Sequence, residues 1–291
     1  MNSIQYLYSI ETRGIKLGIQ RTREIMVACK NPQIGLPSIQ VAGTNGKGSV
    51  CAMLSNIFVA AGYKTGLFTS PHLVTMNERI RINGLLIPNE EIDLFVQTYK
   101  KDIDKTKATF FETITAMAFW YFKKKGVDIC ILETGLGGRL DSVSICEPMA
   151  TVITPISLDH LEILGETLPK IAFEKAGVIK NGVTCISSKQ DASVAKVLIE
   201  EADRKGSSIH FINSKNRLEY LVNIPGEPQQ ENALLAVSAL EYINNFPIPK
   251  TAVVTGLQTV QWFGRNQIIQ KNPLIIFDVA HNIESIYCFL Q

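Results

Sequence analysis

The chain has 291 residues, 46% of them hydrophobic and 19% charged, with 20 glycines and 12 prolines. That mixture, at a length ample for a large core, excludes a disordered, collagen-like or coiled-coil chain. Twenty-nine basic against 27 acidic side chains leave a formal charge of +2, which gives no electrostatic reason to expect nucleic acid or an anionic membrane as partner.

The opening residues MNSIQYLYSIETRG lack the basic flank and apolar run of a signal peptide, and no stretch reaches the ~20 apolar residues of a membrane span. From Ser38 onward apolar runs alternate with helical patterns, the mark of an α/β sheet. The expected strands are Ser38–Ala42, Lys64–Thr69, Val127–Glu133, Ala150–Pro155, Val183–Ser187, Ser208–Ile212 and Leu274–Asp278. Between them Ser49–Ala61 reads as the clearest helix, because Val50, Met53, Leu54, Ile57, Phe58 and Ala61 fall on one stripe and Gly62 stops it. Thr113–Lys124, Ala192–Lys205 and Gln230–Asn244 are further expected helices, while Pro247–Pro249 and Gly264–Pro273 read as connections. The six cysteines are scattered, with no CxxC pair and no histidine at ligand spacing. They read as reduced, packed thiols of a cytoplasmic protein.

The first strand runs straight into Gly43-Thr44-Asn45-Gly46-Lys47-Gly48-Ser49 and then the long helix. Glycines let backbone N–H groups close on phosphate, and a helix N-terminus adds positive partial charge. Lys47 is placed to reach the β- and γ-phosphates of ATP, and the Ser49 hydroxyl to bind Mg²⁺. The strict pattern is not met: Val41 stands six residues before Lys47, and Gly48 separates Lys47 from Ser49. An ordinary glycine-rich turn is the alternative. Glu133, Asp159-His160 and Asp278 each fall at or just past the C-terminal end of a strand, where open α/β sheets bind ligands. In Leu168–Ala176, Lys175 shares an apolar stripe with Leu168, Ile171 and Ala172. Burial without a carboxylate would lower its pKa and expose a neutral amine able to add CO₂; a lysine snorkelling to solvent is the alternative.

GTNGKGS resembles the phosphate loop of the Mur ligase superfamily. Ser70-Pro71-His72-Leu73, the run from Glu78 to Gly84, Phe111-Glu112, Glu133-Thr134-Gly135-Leu136-Gly137-Gly138-Arg139-Leu140-Asp141 and Leu158-Asp159-His160 narrow the match. Glu174-Lys175-Ala176-Gly177, Trp262-Phe263-Gly264-Arg265 and Phe277-Asp278-Val279-Ala280-His281-Asn282 continue it in order. The chain so resembles the folylpolyglutamate synthase and dihydrofolate synthase family over nearly its whole length. The chain departs from that pattern at three places: Ser142-Val143-Ser144 where Ala-Thr-Asn is usual, Pro228 before Gln229, and Ile283 after His281-Asn282.

The resemblance implies an ATP-dependent ligase of folate biosynthesis and one-carbon metabolism, adding L-glutamate to dihydropteroate or to the γ-carboxylate of a reduced folate through an acyl phosphate. It implies one Mg²⁺ among Ser49, Ser70 and Glu133, and a second held by His160 and a carbamate formed from CO₂ on Lys175. Lys47, Lys175 and His160 would be the catalytic residues. Thr44, Asn45, Gly46, Lys47, Gly48 and Ser49, with Asn232, Arg265, Asp278 and His281, would contact ATP. Thr109, Phe110, Phe111 and Glu112, with Leu140, Asp141 and Ser142, would contact the pterin. For Thr109–Glu112 the plain alternative is a helix start with two core phenylalanines and an N-terminal acid.

The expected fold is α/β, a phosphate-loop sheet flanked by helices like the Mur ligase central domain, with only the first strand of a C-terminal Rossmann-like domain. Residues 1–270 would form the ATP-binding domain and 271–291 the start of a truncated second one. Such a chain is expected to be monomeric, to bind ATP and pterin, and to form amide slowly or not at all, with Leu274–Gln291 mobile or packed differently from its counterpart. The other readings are a nucleotide-binding remnant without ligase activity, a P-loop switch that binds a partner, and a muramoyl-type ligase.

Overall fold

The computed structural model describes residues 2–212 and 220–290. Eight strands form one sheet: β1 (Ser38–Ala42), β2 (Thr65–Phe68), β3 (Ile80–Ile82), β4 (Leu85–Leu86), β5 (Ile129–Glu133), β6 (Ala150–Ile153), β7 (Cys185–Ser187) and β8 (Ile209–Phe211). Their order is β4-β3-β2-β5-β1-β6-β7-β8. From β2 to β8 neighbours run parallel, and β3 and β4 add an antiparallel hairpin at one edge. β1 lies between β5 and β6, with Val41 opposite Glu133 and Val152. The loops after β1, β2, β5 and β6 therefore open on the same end of the sheet.

The helices are α1 (Ser3–Ser9), α2 (Gln20–Ala28), α3 (Lys47–Ala60), α4 (Asn89–Thr106), α5 (Phe110–Lys125), α6 (Leu161–Leu164), α7 (Leu168–Ala176), α8 (Ala192–Arg204), α9 (Glu227–Leu240), α10 (Lys250–Thr259) and α11 (Ile283–Leu290). On one face of the sheet α2, α4 and α5 bury Ile25, Phe95, Phe119 and Phe122. On the other, α3, α9 and α10 bury Met53, Phe58, Ala236 and Leu257. A third cluster joins α7 and α8 to the sheet through Ile171 and Leu198. α5 shows how local signals fix an element: Thr109 and Glu112 make a reciprocal capping box, Gly126 ends the helix in a left-handed conformation, and Lys123–Lys125 sit in its last turn.

Every strand expected in the main sheet is present, β1 with the bounds expected and the others shorter by a residue or two at one or both ends. The stretch Gly264–Pro273 differs from its reading as a connection. It contains β9 (Gln267–Lys271), which pairs antiparallel with β10 (Leu274–Phe277) in a separate two-stranded ribbon. Its five residues are half-buried or exposed, so they carry neither a continuous apolar run nor clean alternation, the two signals a strand shows in sequence. The 270/271 division falls inside this strand. α4 and the N-terminal α1 and α2 also lie where no element was expected. Among the described residues no helix is long and apolar enough to cross a membrane.

Candidate active site

The loops at the C-terminal end of the sheet surround a cavity of about 1630 Å³. Every candidate residue lines it except Ser49, which is fully buried beneath the loop.

Gly43 follows β1 with φ +140°, and a Cβ there would lie 1.9 Å from Thr154 Oγ1. Gly46, at φ +88°, begins α3 with its Cα so close to Asn232 that a Cβ would fall 2.4 Å from Oδ1. Only glycine fits either position. The Thr44 N–H donates to the Pro155 carbonyl at 2.9 Å, and the Ser157 N–H donates to Thr44 Oγ1 at 3.1 Å, so the loop is braced against the segment after β6. Lys47 Nζ folds back to the Thr44 carbonyl at 2.9 Å.

Two observations fit a divalent cation under this loop. Ser49 Oγ is buried and has no hydrogen-bond partner among the described residues, a state that is rare unless something else satisfies the group. Glu133, 3% exposed at the end of β5, accepts the Ser70 N–H at 3.0 Å. Burial pushes its carboxyl up, against the pull of Lys47, Arg265 and Arg79. A buried carboxylate and an orphan hydroxyl are a hard-oxygen donor set of the kind Mg²⁺ takes.

Lys175 sits on α7 as its stripe requires, 4% exposed. Its Nζ donates to the Gly43 carbonyl at 2.5 Å, and no carboxylate pairs with it within the described residues. Burial, then the charge of Lys47, lowers its pKa from 10.5 to about 7. The snorkelling alternative is thereby set aside. His160 begins α6 in a left-handed conformation and stands 3.9 Å from Asp159; both line the cavity with Lys175.

The heterocycle end is more committed than its sequence suggests. Glu112 accepts the Thr109 N–H at 2.7 Å as the capping partner of α5 and pairs with Arg21 Nε at 3.0 Å. Phe110 is stacked on Tyr8 with centroids 6.0 Å apart, and the Arg79 guanidinium lies 5.2 Å from its ring centroid. Phe111 is the less buried of the two rings. Asp141 accepts three backbone N–H groups, from Gly135, Leu136 and Val143, at 2.8–2.9 Å. Burial raises its carboxyl to about 6 in spite of them. Its first job is to shape the glycine-rich turn. Ser142 accepts from Thr22 Oγ1 at 3.1 Å, and Leu140 is exposed.

Near β10, Asp278 accepts the Asn266 N–H at 2.7 Å and the Ala280 N–H at 2.8 Å. Arg265 is held to the Gly264 carbonyl at 2.9 Å. His281 Nδ1 lies 2.9 Å from the Val279 carbonyl. Asn282 donates to Asn45 Oδ1 at 2.9 Å, tying the segment after β10 to the phosphate loop.

Sequence reading missed two contributors. Arg21 reaches Glu112 from α2, and Gly14–Leu17 lines the cavity rim. Glu78, at the head of the run picked out in the sequence, accepts the N–H groups of Leu73, Val74 and Thr75 at 2.8–2.9 Å and so shapes the loop after Ser70. The one available signal was the pair of glycines, Gly14 and Gly18, bracketing Ile15-Lys16-Leu17.

A phosphate loop at the end of a parallel strand, a buried carboxylate on the next strand and a buried lysine opposite define a Mur-type ATP-dependent ligase domain, and residues 41–184 match the Mur ligase middle domain. Dihydrofolate synthase/folylpolyglutamate synthase of Bacillus subtilis is 36% identical over 94% of this chain and 71% of its own length. The Escherichia coli protein of the same name is 32% identical over 96% of this chain and 69% of its own. The apo form of L. casei FPGS superposes with a TM-score of 0.92 at 29% identity, covering 100% of this chain and 79% of that one. An FPGS–AMPPCP–folate complex superposes at 0.91 with the same coverage. The chain belongs to the folylpolyglutamate synthase/dihydrofolate synthase family.

Proposed function

We propose that this chain is an ATP-dependent carbon–nitrogen ligase that joins L-glutamate to dihydropteroate, to the γ-carboxylate of a reduced folate, or to both. The observation that carries the reading is the single cavity in which the phosphate loop, Glu133 and Lys175 meet the Thr109–Glu112 wall and the Leu140–Ser142 turn.

A carboxylate does not condense with an amine in water without activation. Attack of the substrate carboxylate on the γ-phosphorus of ATP gives an acyl phosphate and ADP; the glutamate amine then attacks the acyl carbon and expels phosphate. The chain's part is alignment and charge neutralisation. Lys47 leaves the Thr44 carbonyl for the β- and γ-phosphates, and the loop's N–H groups cradle them. Asn232, Arg265, Asp278 and His281 complete the nucleotide contacts. Ser49, Ser70 and Glu133 would hold one Mg²⁺, and His160 with a carbamate on Lys175 a second; bound ions would neutralise phosphoryl charge during transfer. The neutral amine that CO₂ addition requires is what the burial of Lys175 supplies. Phe111 offers an aromatic face at the cavity wall, and Leu140 an apolar one. We also propose a monomer, and a cytoplasmic one: the five buried cysteines are free thiols, which suits a reducing compartment.

The test is coupled ADP release with dihydropteroate plus glutamate against tetrahydrofolate plus glutamate. Release that needs either pterin acid supports the reading. ADP release stimulated by neither acid, but by a muramoyl peptide precursor, would overturn it.

A further inference from the structure

Arg21, in the first turn of α2, faces two ways. Its Nε lies 3.0 Å from the Glu112 carboxylate, and its outer nitrogen donates to the Lys16 carbonyl at 3.1 Å. Glu112 is 2% exposed and has no second cation partner among the described residues, and both of its oxygens lie 3.0 Å from Arg21 Nε. Lys16 stands between Ile15 and Leu17, which are 69% and 47% exposed and, with Gly14, line the cavity rim. One guanidinium thus joins a buried carboxylate of the cavity wall to the rim.

We propose that Arg21 is a positioning residue for the heterocycle end of the site: it holds the Glu112 carboxylate in orientation and tethers the Gly14–Leu17 rim over the ligand. What enters the cavity rests on the pterin reading above; the clasp rests on the geometry. A planar guanidinium can serve both partners at once, whereas a lysine ammonium is a point charge on a flexible stem. Removing one side of a buried pair leaves the other uncompensated. Glu112 is then free to turn away from the orientation that the pair fixes. A ligand edge presenting N–H groups loses its partner. The nucleotide end, built on Lys47 and Asn232, makes no contact with Arg21.

Titration calorimetry on the full chain tests this with two ligands, dihydropteroate and Mg·ATP. In Arg21→Ala, dihydropteroate binding should weaken tenfold or more while ATP affinity stays within twofold, the latter also reporting that the variant is folded. Arg21→Lys should fall between. Where Arg21→Ala does not fold, Arg21→Ala/Glu112→Gln removes the uncompensated charge and should still bind dihydropteroate at least tenfold more weakly. Unchanged dihydropteroate affinity in either folded variant, or equal losses for both ligands, would overturn the proposal. A wild-type chain that binds ATP but no pterin would instead refute the pterin reading.

Discussion

Replacing Lys175 by methionine isolates the energetic consequence of burying an amine without a counter-ion. The side chain is 4% exposed, its one bond goes to the Gly43 carbonyl, and its pKa falls from 10.5 to about 7. The lowered folded value means that the unfolded chain holds the proton more tightly. Below pH ~7 both states are protonated and the folded state bears the full cost. Between pH ~7 and ~10.5 the folded amine is neutral, and the cost disappears as pH rises. At about 1.4 kcal/mol per pH unit, the penalty is about 5 kcal/mol at its largest. Losing the bond to Gly43 takes back about 1 kcal/mol. Lys175→Met should therefore be more stable than the parent by several kcal/mol at pH 6, with the advantage shrinking toward pH 10. Urea unfolding of both proteins at pH 6, 8 and 9.5, without bicarbonate or Mg²⁺, measures it. A variant less stable than the parent at pH 6, or a difference that does not change with pH, would refute the reasoning.

Lys47→Ala should weaken Mg·ATP binding tenfold or more in titration calorimetry by removing the charge on the β- and γ-phosphates, while leaving the fold intact. Ser49→Ala should leave the melting temperature of the ligand-free protein nearly unchanged, because its hydroxyl bonds to nothing, yet reduce the Mg²⁺ dependence of nucleotide binding; a large destabilisation would show that Ser49 has a structural partner. Phe58→Ala, at a fully buried ring of α3 packed against Tyr63 and Phe246, should cost about 3–5 kcal/mol in denaturant unfolding.

The parts of the site that could be read in the sequence are those whose signal is local. β1, the glycine-rich loop and α3 are contiguous, so the phosphate loop announces itself within a dozen residues. Lys175 betrays its burial by its place on a helical stripe, and the structure returns α7 with the bounds expected, Leu168–Ala176. The Arg21–Glu112 pair has no such signal, since 91 residues separate its members. Thr109–Glu112 shows the opposite difficulty. A capping box and a cavity wall use the same residues, and Glu112 does both. Asp141 likewise looks like a ligand from its motif, but much of its acceptor capacity goes to the turn that carries it. β9 escaped notice because its outward face is not buried within these residues, and apolar periodicity reports burial rather than pairing.

Activation of the substrate carboxylate by phosphoryl transfer is the central claim, and isotope transfer tests it most directly. Dihydropteroate carrying ¹⁸O in its carboxylate is incubated with the protein, Mg·ATP and glutamate, and the released phosphate is examined by ³¹P resonance. When the glutamate amine attacks the acyl carbon, the bridging oxygen, which came from the carboxylate, leaves with phosphate; water attacking phosphorus would not transfer it. Phosphate is therefore expected to carry ¹⁸O in proportion to the amide formed, with both lost in Lys47→Ala. Amide product accompanied by unlabelled phosphate would contradict the acyl phosphate.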